Sequence, residues 1–373
     1  MQKNIFNTKN YWRNIDKQIL SCFLALFILG VFISFSSTSF LADERLNKSY
    51  YFFFQKHLIY ACVSFLVMIF ISTLSTNVIN KSLMPIFIFF LLLLLLVPFF
   101  GTEVKGAKRW LNFYIFRFQP IEFVKPFFIL IVAQVISTSK VKSLNFSHII
   151  SFLFLSLITL LLLIQPDVGQ TILLIASWSS LIFVSGFSII FLILIFLILI
   201  VLFFLLLYIA PERFSYIISR ITSFMDPEKS GWSQSQKAIE AIKQGGFKGQ
   251  GMGEGILKES VPEAHTDYII AVISEEFGSV ISILIIMIFL FIAFRIIKKV
   301  IDLSNNYYKL ALCGLTSLII FQTFIHIGVN ANLLPSTGMT LPFLSYGGSS
   351  LLSTGIVAGI ILNYTSLTEK IGR

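Results

Sequence analysis

The segment PEAHTD, which ends at Asp267, places several ionisable residues directly before an apolar stretch that begins at Tyr268. Glu263 and His265 belong to this segment, and Glu259 lies just upstream of it. A carboxylate with acidic and imidazole neighbours at the end of a membrane span is suited to proton transfer on a membrane-bound sugar. The position also suits an ordinary N-cap, because a carboxylate there pairs with free N–H groups and is favoured by the helix dipole.

Two neighbouring glutamates, Glu275 and Glu276, follow about two turns later in the same apolar stretch. Adjacent residues on a helix point in different directions, so at least one of these side chains faces into the protein. A buried carboxylate is costly unless it is paired or functional. We expect pairing with a buried Lys or Arg from another span, in preference to a direct chemical role.

Basic residues gather in a short segment between two apolar stretches, at Lys105, Lys108 and Arg109. We expect Lys108 and Arg109 to have no acid nearby, and a guanidinium suits bidentate recognition of phosphate. Glu122 and Lys125 lie three residues apart at the start of the next apolar stretch, a spacing that permits an intrahelical ion pair. A phosphate-binding role is therefore predicted for the first pair and a structural role for the second.

The composition excludes a soluble protein. Of 373 residues, 56% are hydrophobic and 12% are charged, and the mean hydropathy is +0.88. Soluble domains have about a quarter charged residues, and runs without a polar face belong in a bilayer. The sequence predicts an all-α polytopic membrane protein with about ten transmembrane helices in one domain, 1–373. The expected helices are 17–38, 53–74, 81–100, 121–138, 148–164, 167–184, 188–209, 267–294, 307–330 and 342–364.

Lys and Arg in the amino-terminal segment predict that both termini are cytoplasmic, with the first apolar run retained as a helix. Segment 101–120 then lies outside, and its basic residues indicate an anionic ligand such as a phosphate. The long extracytoplasmic loop 210–266, between helices 7 and 8, should contain a short helix over 233–244. The alternating glycines from Gly249 to Gly255 lack the spacing of a dinucleotide-binding loop and favour either a flexible loop or close backbone packing.

Several classes of ligand are not indicated. The formal net charge of +10 comes from basic residues scattered among short loops, which favours contact with membrane lipids and excludes a nucleic-acid reader. Three cysteines, all within predicted spans, indicate no disulfide framework. The four histidines lie far apart without the spacing of metal ligands, so no metal site is predicted.

A segment rich in small residues, Gly338 to Ser350, is suited to close helix packing or to breaking the start of a helix, and we favour packing. With the clusters above, it resembles the SEDS family of bacterial cell-wall polymerases (shape, elongation, division and sporulation). The resemblance covers about residues 101 to 355, and the glycine loop and the PEAHTD segment are closer to the division branch than to the elongation branch. The matching pieces are GAKRW, QPxEFxKP at 119–126, QPDxG at 165–169, PEAHTD with the downstream EEFG, and GMTLPFLSYGGSS.

The resemblance implies a peptidoglycan glycosyltransferase that polymerises lipid II during cell division, at the outer face of the bacterial inner membrane and at the septum. It implies a class B penicillin-binding protein and other divisome proteins as partners, and Asp267 as catalytic base. Lys108, Arg109, Glu259, His265 and Ser345 are then expected to contact substrate. The residues establish no cofactor, although a diphosphate leaving group is compatible with a divalent cation, Mg²⁺ or Mn²⁺.

Three alternatives remain open on the residues alone. An elongation-type polymerase would use the same chemistry. A lipid II flippase would need charged residues deep within several spans, whereas the unexplained charges here gather at outer span ends. A non-catalytic division scaffold would tolerate loss of the Asp267 carboxylate, which an enzyme would not.

Overall fold

The computed structural model describes residues 14–40, 51–104, 106–113, 116–138, 146–209, 211, 214–225, 234–261 and 263–367. Within these residues, every predicted apolar segment forms a helix, and shorter helices lie in the long loop. In chain order the elements are α1 (Lys17–Phe40), α2 (Phe52–Thr73), α3 (Thr76–Phe100), β1 (Thr102–Val104), β2 (Ala107–Phe113), β3 (Phe116–Phe118), α4 (Pro120–Ser137), α5 (Phe146–Ile164), α6 (Val168–Val184), α7 (Ile189–Ile209), α8 (Ser215–Met225), α9 (Gln234–Gly245), α10 (Leu257–Ser260), α11 (Ile269–Ile301), α12 (Asn306–Asn330) and α13 (Gly348–Thr365).

Among the described residues, seven helices are long and apolar enough to cross a membrane, judged by length and composition. They are α1 to α5, α11 and α12; α6 is apolar but shorter, with 17 residues. The remaining two predicted segments form α7 and α13. The predicted polytopic, predominantly helical membrane architecture is confirmed.

Several helix boundaries differ from the prediction because hydropathy detects apolar length, not helical backbone. Helix α3 begins at Thr76, before its apolar run, and α11 continues through Arg295 and Lys299 to Ile301. Helix α13 begins at Gly348 instead of 342, since Phe343 has a positive φ of 67° and the preceding segment is not helical.

A small antiparallel sheet of β1, β2 and β3 fills most of segment 101–120, where the sequence predicted only a loop. Trp110 pairs with Thr102, and Arg117 pairs with Asn112, so β2 is the central strand. Gly106 makes the first turn with φ +77°. The sheet fixes the positions of Lys108 and Arg109, which are consecutive in β2 and therefore point to opposite faces.

The chain divides into two compact units. The first contains residues 1–81, 231–302 and 319–373, and the second contains 82–230 and 303–318. In the first, α2 packs closely along α13, because Gly355 and Gly359 leave no room for a side chain against Ser64 and Met68. In the second, α4 packs against α5 and α6 and is buried along most of its length.

The first unit also joins the start of α1 to the end of α11. Asp16 accepts the N–H groups of Gln18 and Ile19 at 3.0 and 3.2 Å, which caps α1. Its Oδ2 lies 2.9 Å from Arg295 Nε and 3.4 Å from Lys299 Nζ. Burial alone would raise the pKa of Asp16, but the hydrogen bond from Ile19 and the two cations outweigh it and lower the pKa.

Helix α11 is broken at Gly278, whose backbone has φ 85° and ψ 163°. The break leaves the backbone oxygens of Glu275 and Glu276 available to residues outside the helix. Gln250 N–H donates to Glu275 at 2.8 Å, and Gly251 N–H donates to Glu276 at 3.0 Å. A Cβ at Gly278 would collide with the carbonyl oxygen of Phe247. The glycine-rich loop therefore packs directly against the break, as the close-packing interpretation predicted.

Replacing Gly278 with alanine should destabilise the protein more than replacing Gly253. Both glycines have positive φ, at 85° and 87°, but nothing lies within 4 Å of a Cβ at Gly253. Backbone strain alone should cost about 1–2 kcal/mol in either variant, and Gly278→Ala adds the collision with Phe247. Thermal unfolding in detergent should give the lower midpoint for Gly278→Ala. Equal midpoints would contradict the close packing at the break.

Candidate active site

The backbone of Asp267 is held by Asn330, a fully buried residue near the end of α12. Asn330 Nδ2 donates to the Asp267 carbonyl oxygen at 3.0 Å, and its Oδ1 accepts the Ala271 N–H at 3.1 Å. Tyr268 occupies the N-cap position of α11. Asp267 is therefore not the N-cap that its place in the sequence also allowed. Asp267 directly precedes the N-cap residue and is half-buried.

The residues around Asp267 form a turn that the segment before α13 holds in place. Ser345 Oγ donates to the Thr266 carbonyl oxygen at 2.6 Å and accepts the Leu341 N–H at 2.8 Å. Tyr346 N–H donates to the His265 carbonyl oxygen at 3.1 Å. The Ser345 hydroxyl thus lies at the turn and contacts backbone groups there, and its contact with substrate stays a prediction.

Aromatic rings surround His265. Its ring centroid lies 5.5 Å from that of Tyr346 and 5.8 Å from that of Phe53, and Tyr346 also lies 6.1 Å from His57. Burial lowers the pKa of His265 to about 4, with the charge of Glu263 acting in the opposite direction. Burial likewise raises the pKa of Tyr346 to about 12. Both rings are therefore uncharged at neutral pH.

The remaining predicted acids of this region are distributed as follows. Glu263 is half-buried, and its carbonyl oxygen accepts the N–H groups of Thr266 and Asp267 at 3.1 and 3.0 Å. Glu259 lies in α10, and its side chain is outside the described residues. Glu275 and Glu276 are both buried, each with 1% of its surface exposed.

Each of the two buried glutamates has a hydrogen-bonded partner. Glu275 Oε1 accepts the N–H groups of Ile256 and Leu257 at 2.8 and 3.2 Å. Glu276 Oε2 accepts a hydrogen bond from the Ser36 hydroxyl of α1. The expected pairing with a buried Lys or Arg stays a prediction.

In the second unit, Glu122, Lys125 and Gln170 form a closed triangle of buried polar groups. Lys125 Nζ lies 2.9 Å from Glu122 Oε2, the ion pair that the spacing permits. Lys125 also donates to Gln170 Oε1 at 2.7 Å, and Gln170 Nε2 donates to Glu122 Oε1 at 2.8 Å. Each charge therefore has a charged and a neutral partner, which offsets the cost of burial.

The expectation that Lys108 and Arg109 have no acid nearby is wrong. Arg109 Nε lies 3.7 Å from Asp167 Oδ2, and the guanidinium also donates to the carbonyl oxygens of Gln165 and Pro166. Lys108 is exposed and faces Glu103 across the β1–β2 ladder. The Arg109–Asp167 contact was not predicted because the two residues are far apart along the chain. The approach of Glu103 to Lys108 was not predicted because it depends on the β1–β2 pairing.

A family model for cell cycle proteins, FTSW_RODA_SPOVE, matches residues 16–370. The chain belongs to this family, the SEDS family. It is 33% identical over 352 residues to a "Probable peptidoglycan glycosyltransferase FtsW" of Caulobacter vibrioides, covering 94% of this chain and 89% of the relative. It is 32% identical to the "Stage V sporulation protein E" of Bacillus subtilis, covering 91% and 94%.

The fold is also similar to that of solved SEDS structures. One solved structure, described as "Structural coordination of polymerization and crosslinking by a peptidoglycan synthase complex", contains a chain with a TM-score of 0.74 and 23% identity. The match covers 95% of this chain and 98% of that chain. The resemblance to the SEDS family that the motifs indicated is therefore confirmed over almost the whole chain.

Sequence reasoning missed three residues that shape these sites in this SEDS protein. Asn330 and Gln170 are neutral side chains inside apolar helices, and their polarity in such a setting was the available signal. His57 is fully buried in α2, and neither ring nitrogen has a hydrogen-bond partner among the described residues. Its place near His265 arises from the packing of α2, which sequence spacing does not reveal.

Replacing Lys125 with methionine should destabilise the second unit strongly, because Glu122 would remain buried without its cation. Removing one partner of a buried pair costs about 3–5 kcal/mol. The double variant Glu122→Gln/Lys125→Met should recover part of that loss, since no charge is left unpaired. Thermal unfolding in detergent tests this. A Lys125→Met variant as stable as wild type would show that the triangle carries little stability.

Proposed function

We propose that this chain is a peptidoglycan glycosyltransferase that polymerises lipid II, with Asp267 as general base. Membership of a family whose relatives are named peptidoglycan glycosyltransferases supports the activity. The observation that carries the residue assignment is the turn at Asp267. Its backbone is fixed by Asn330, and the adjoining Thr266 by Ser345, while the carboxylate-bearing residue itself is only half-buried. A base must be held rigidly and still be reached by substrate.

The reaction needs one proton acceptor. The 4-hydroxyl of an incoming N-acetylglucosamine attacks the anomeric carbon of an N-acetylmuramic acid that is linked α to undecaprenyl diphosphate. The new β-1,4 bond forms as the bond to the diphosphate oxygen breaks, so configuration inverts without a covalent intermediate. Asp267 takes the hydroxyl proton, and the diphosphate departs with the bonding electrons. The proposed contribution of the base is about 10²–10⁴-fold in rate.

His265 supports this role by remaining neutral. Its pKa of about 4 means that it carries no positive charge at neutral pH and so adds no cation to the turn. Its ring is held between Phe53 and Tyr346. We propose that His265 and Glu259 position Asp267 or the acceptor sugar, and that Ser345 acts through the backbone of the turn.

Lys108 is the better candidate for contact with the departing diphosphate. Arg109 is engaged by Asp167 and by two backbone carbonyls, which suits a role in fixing the sheet to α6. Among the described residues, no three His, Cys, Asp or Glu side chains form a group that could hold a metal ion. A divalent cation, Mg²⁺ or Mn²⁺, stays a proposal, and its role would be to offset charge on the departing diphosphate.

The proposed setting is the bacterial inner membrane at the division septum, with both termini cytoplasmic. The names of the relatives and the synthase complex of similar fold support a class B penicillin-binding protein as partner. Division is preferred over elongation because FtsW proteins are prominent among the relatives. A flippase would need charged residues deep within its spans. Glu122 and Lys125 instead lie in the first two turns of α4, near the end of that span.

Replacing Asp267 with asparagine should reduce lipid II polymerisation by at least about 100-fold, because the amide cannot accept the proton. Glu263→Gln is the matched control, a carboxylate removed from the same turn, and should retain most of the activity. Glycan-strand formation by purified protein with its penicillin-binding partner is the measurement. Comparable ladders from wild type and Asp267→Asn would reject the base assignment while leaving the enzyme intact.

Lys108 and Arg109 should differ when each is replaced with methionine. Lys108→Met should raise the KM for lipid II several-fold with no change in thermal stability, because an exposed cation is lost. Arg109→Met should lower the unfolding temperature, because Asp167 loses a partner within a largely buried setting; breaking such pairs costs about 3–5 kcal/mol at most. An unchanged KM in Lys108→Met would contradict the assignment of Lys108 to the diphosphate.

A further inference from the structure

The side chain of Glu275 lies at the junction between the break in α11 and the segment that leads to Asp267. Its carboxylate is almost fully buried and accepts N–H groups at the start of α10, from Ile256 at 2.8 Å and from Leu257 at 3.1 and 3.2 Å. Gly255 sits so close that a Cβ there would lie 2.6 Å from Glu275 Oε2. The carboxylate thus lies against backbone N–H groups at the start of α10, directly after the glycine-rich loop.

The backbone of Glu275 also binds the glycine-rich loop. The Glu275 carbonyl oxygen accepts the Gln250 N–H at 2.8 Å, a bond that the break at Gly278 makes available. Ser279 N–H, just beyond the break, donates to the Gly246 carbonyl oxygen at 2.9 Å. The loop is therefore attached to α11 on both sides of the break, and its path to α10 is fixed.

Helix α10 transmits this attachment to the active-site turn through apolar packing. Leu257 of α10 belongs to a buried cluster that also contains Val261, Ala264 and Tyr268. Tyr268 is the residue next to Asp267, and its hydroxyl lies 3.1 Å from Ser235 Oγ of α9. A shift of α10 would therefore displace the packing directly beside the base.

We propose that Glu275 is a positioning residue, which holds α10 and through it sets the position of Asp267. The inference rests on the proposed role of Asp267 as general base. Glu275 touches no reacting atom; its effect is to keep the carboxylate of Asp267 at the distance and angle that proton transfer requires. Small displacements of a catalytic group are costly in rate, up to about 100-fold per ångström.

The test compares Glu275→Gln with Glu276→Gln. Both side chains are 1% exposed and adjacent in sequence. The Glu276 carboxylate accepts a hydrogen bond from Ser36 of α1, whereas the Glu275 carboxylate binds the start of α10. Glu275→Gln should accelerate amide hydrogen exchange across 256–267 at least tenfold and lower kcat about tenfold, with the KM for lipid II within twofold. Glu276→Gln should leave exchange across 256–267 at the wild-type rate.

If Glu275→Gln is not recovered folded, Gly255→Ala provides a second test, because its Cβ would lie 2.6 Å from Glu275 Oε2 and force the carboxylate to move, which should give the same pair of effects. Normal kcat per folded molecule in either variant, with or without faster exchange, would overturn the positioning role. A failure of the base assignment is detected by a separate experiment, in which Asp267→Asn would polymerise lipid II as fast as wild type. In that case hydrogen exchange would still report whether Glu275 holds α10.

Discussion

A polar group removed from water inside a membrane protein must find its partner within the protein, and the arrangement of the first unit depends on this constraint. The break at Gly278 exposes two carbonyl oxygens in the middle of an apolar helix. The glycine-rich loop supplies the missing donors, because its glycines allow backbone to approach backbone. A local defect in α11 thereby determines where the glycine-rich loop lies, and with it the path of the chain towards Asp267.

The two units meet the constraint differently. In the second unit, Glu122, Lys125 and Gln170 satisfy one another, and the resulting triangle is neutral overall. In the first, neutral side chains such as Asn330 and backbone groups provide most of the recorded bonds around the turn. These bonds fix the backbone on either side of Asp267, which holds the carboxylate-bearing residue in place, as a general base requires.

The sequence predicted the ten apolar helices, because apolar length is a direct signal, and it placed His265 beside Asp267 because the two are close along the chain. That Ser345 lies at the same turn was not predicted, because it is far from Asp267 in sequence. The sheet was not predicted because its strands are short and because segment 101–120 was interpreted from its basic residues alone. The pairing of Arg109 with Asp167 was missed because these residues are far apart along the chain. The break at Gly278 is not visible in hydropathy, and the polarity of Asn330 does not say which groups it binds, so only the folded structure reveals both.

The most direct measurement is the structure of the Asp267→Asn variant with its penicillin-binding partner and bound lipid II. The proposed mechanism predicts that the 4-hydroxyl oxygen of the acceptor sugar lies within hydrogen-bond reach of the side chain at 267, about 2.6–3.2 Å or one water away. It would be contradicted by an acceptor hydroxyl placed against a different acidic residue, with the side chain at 267 directed away from the sugar.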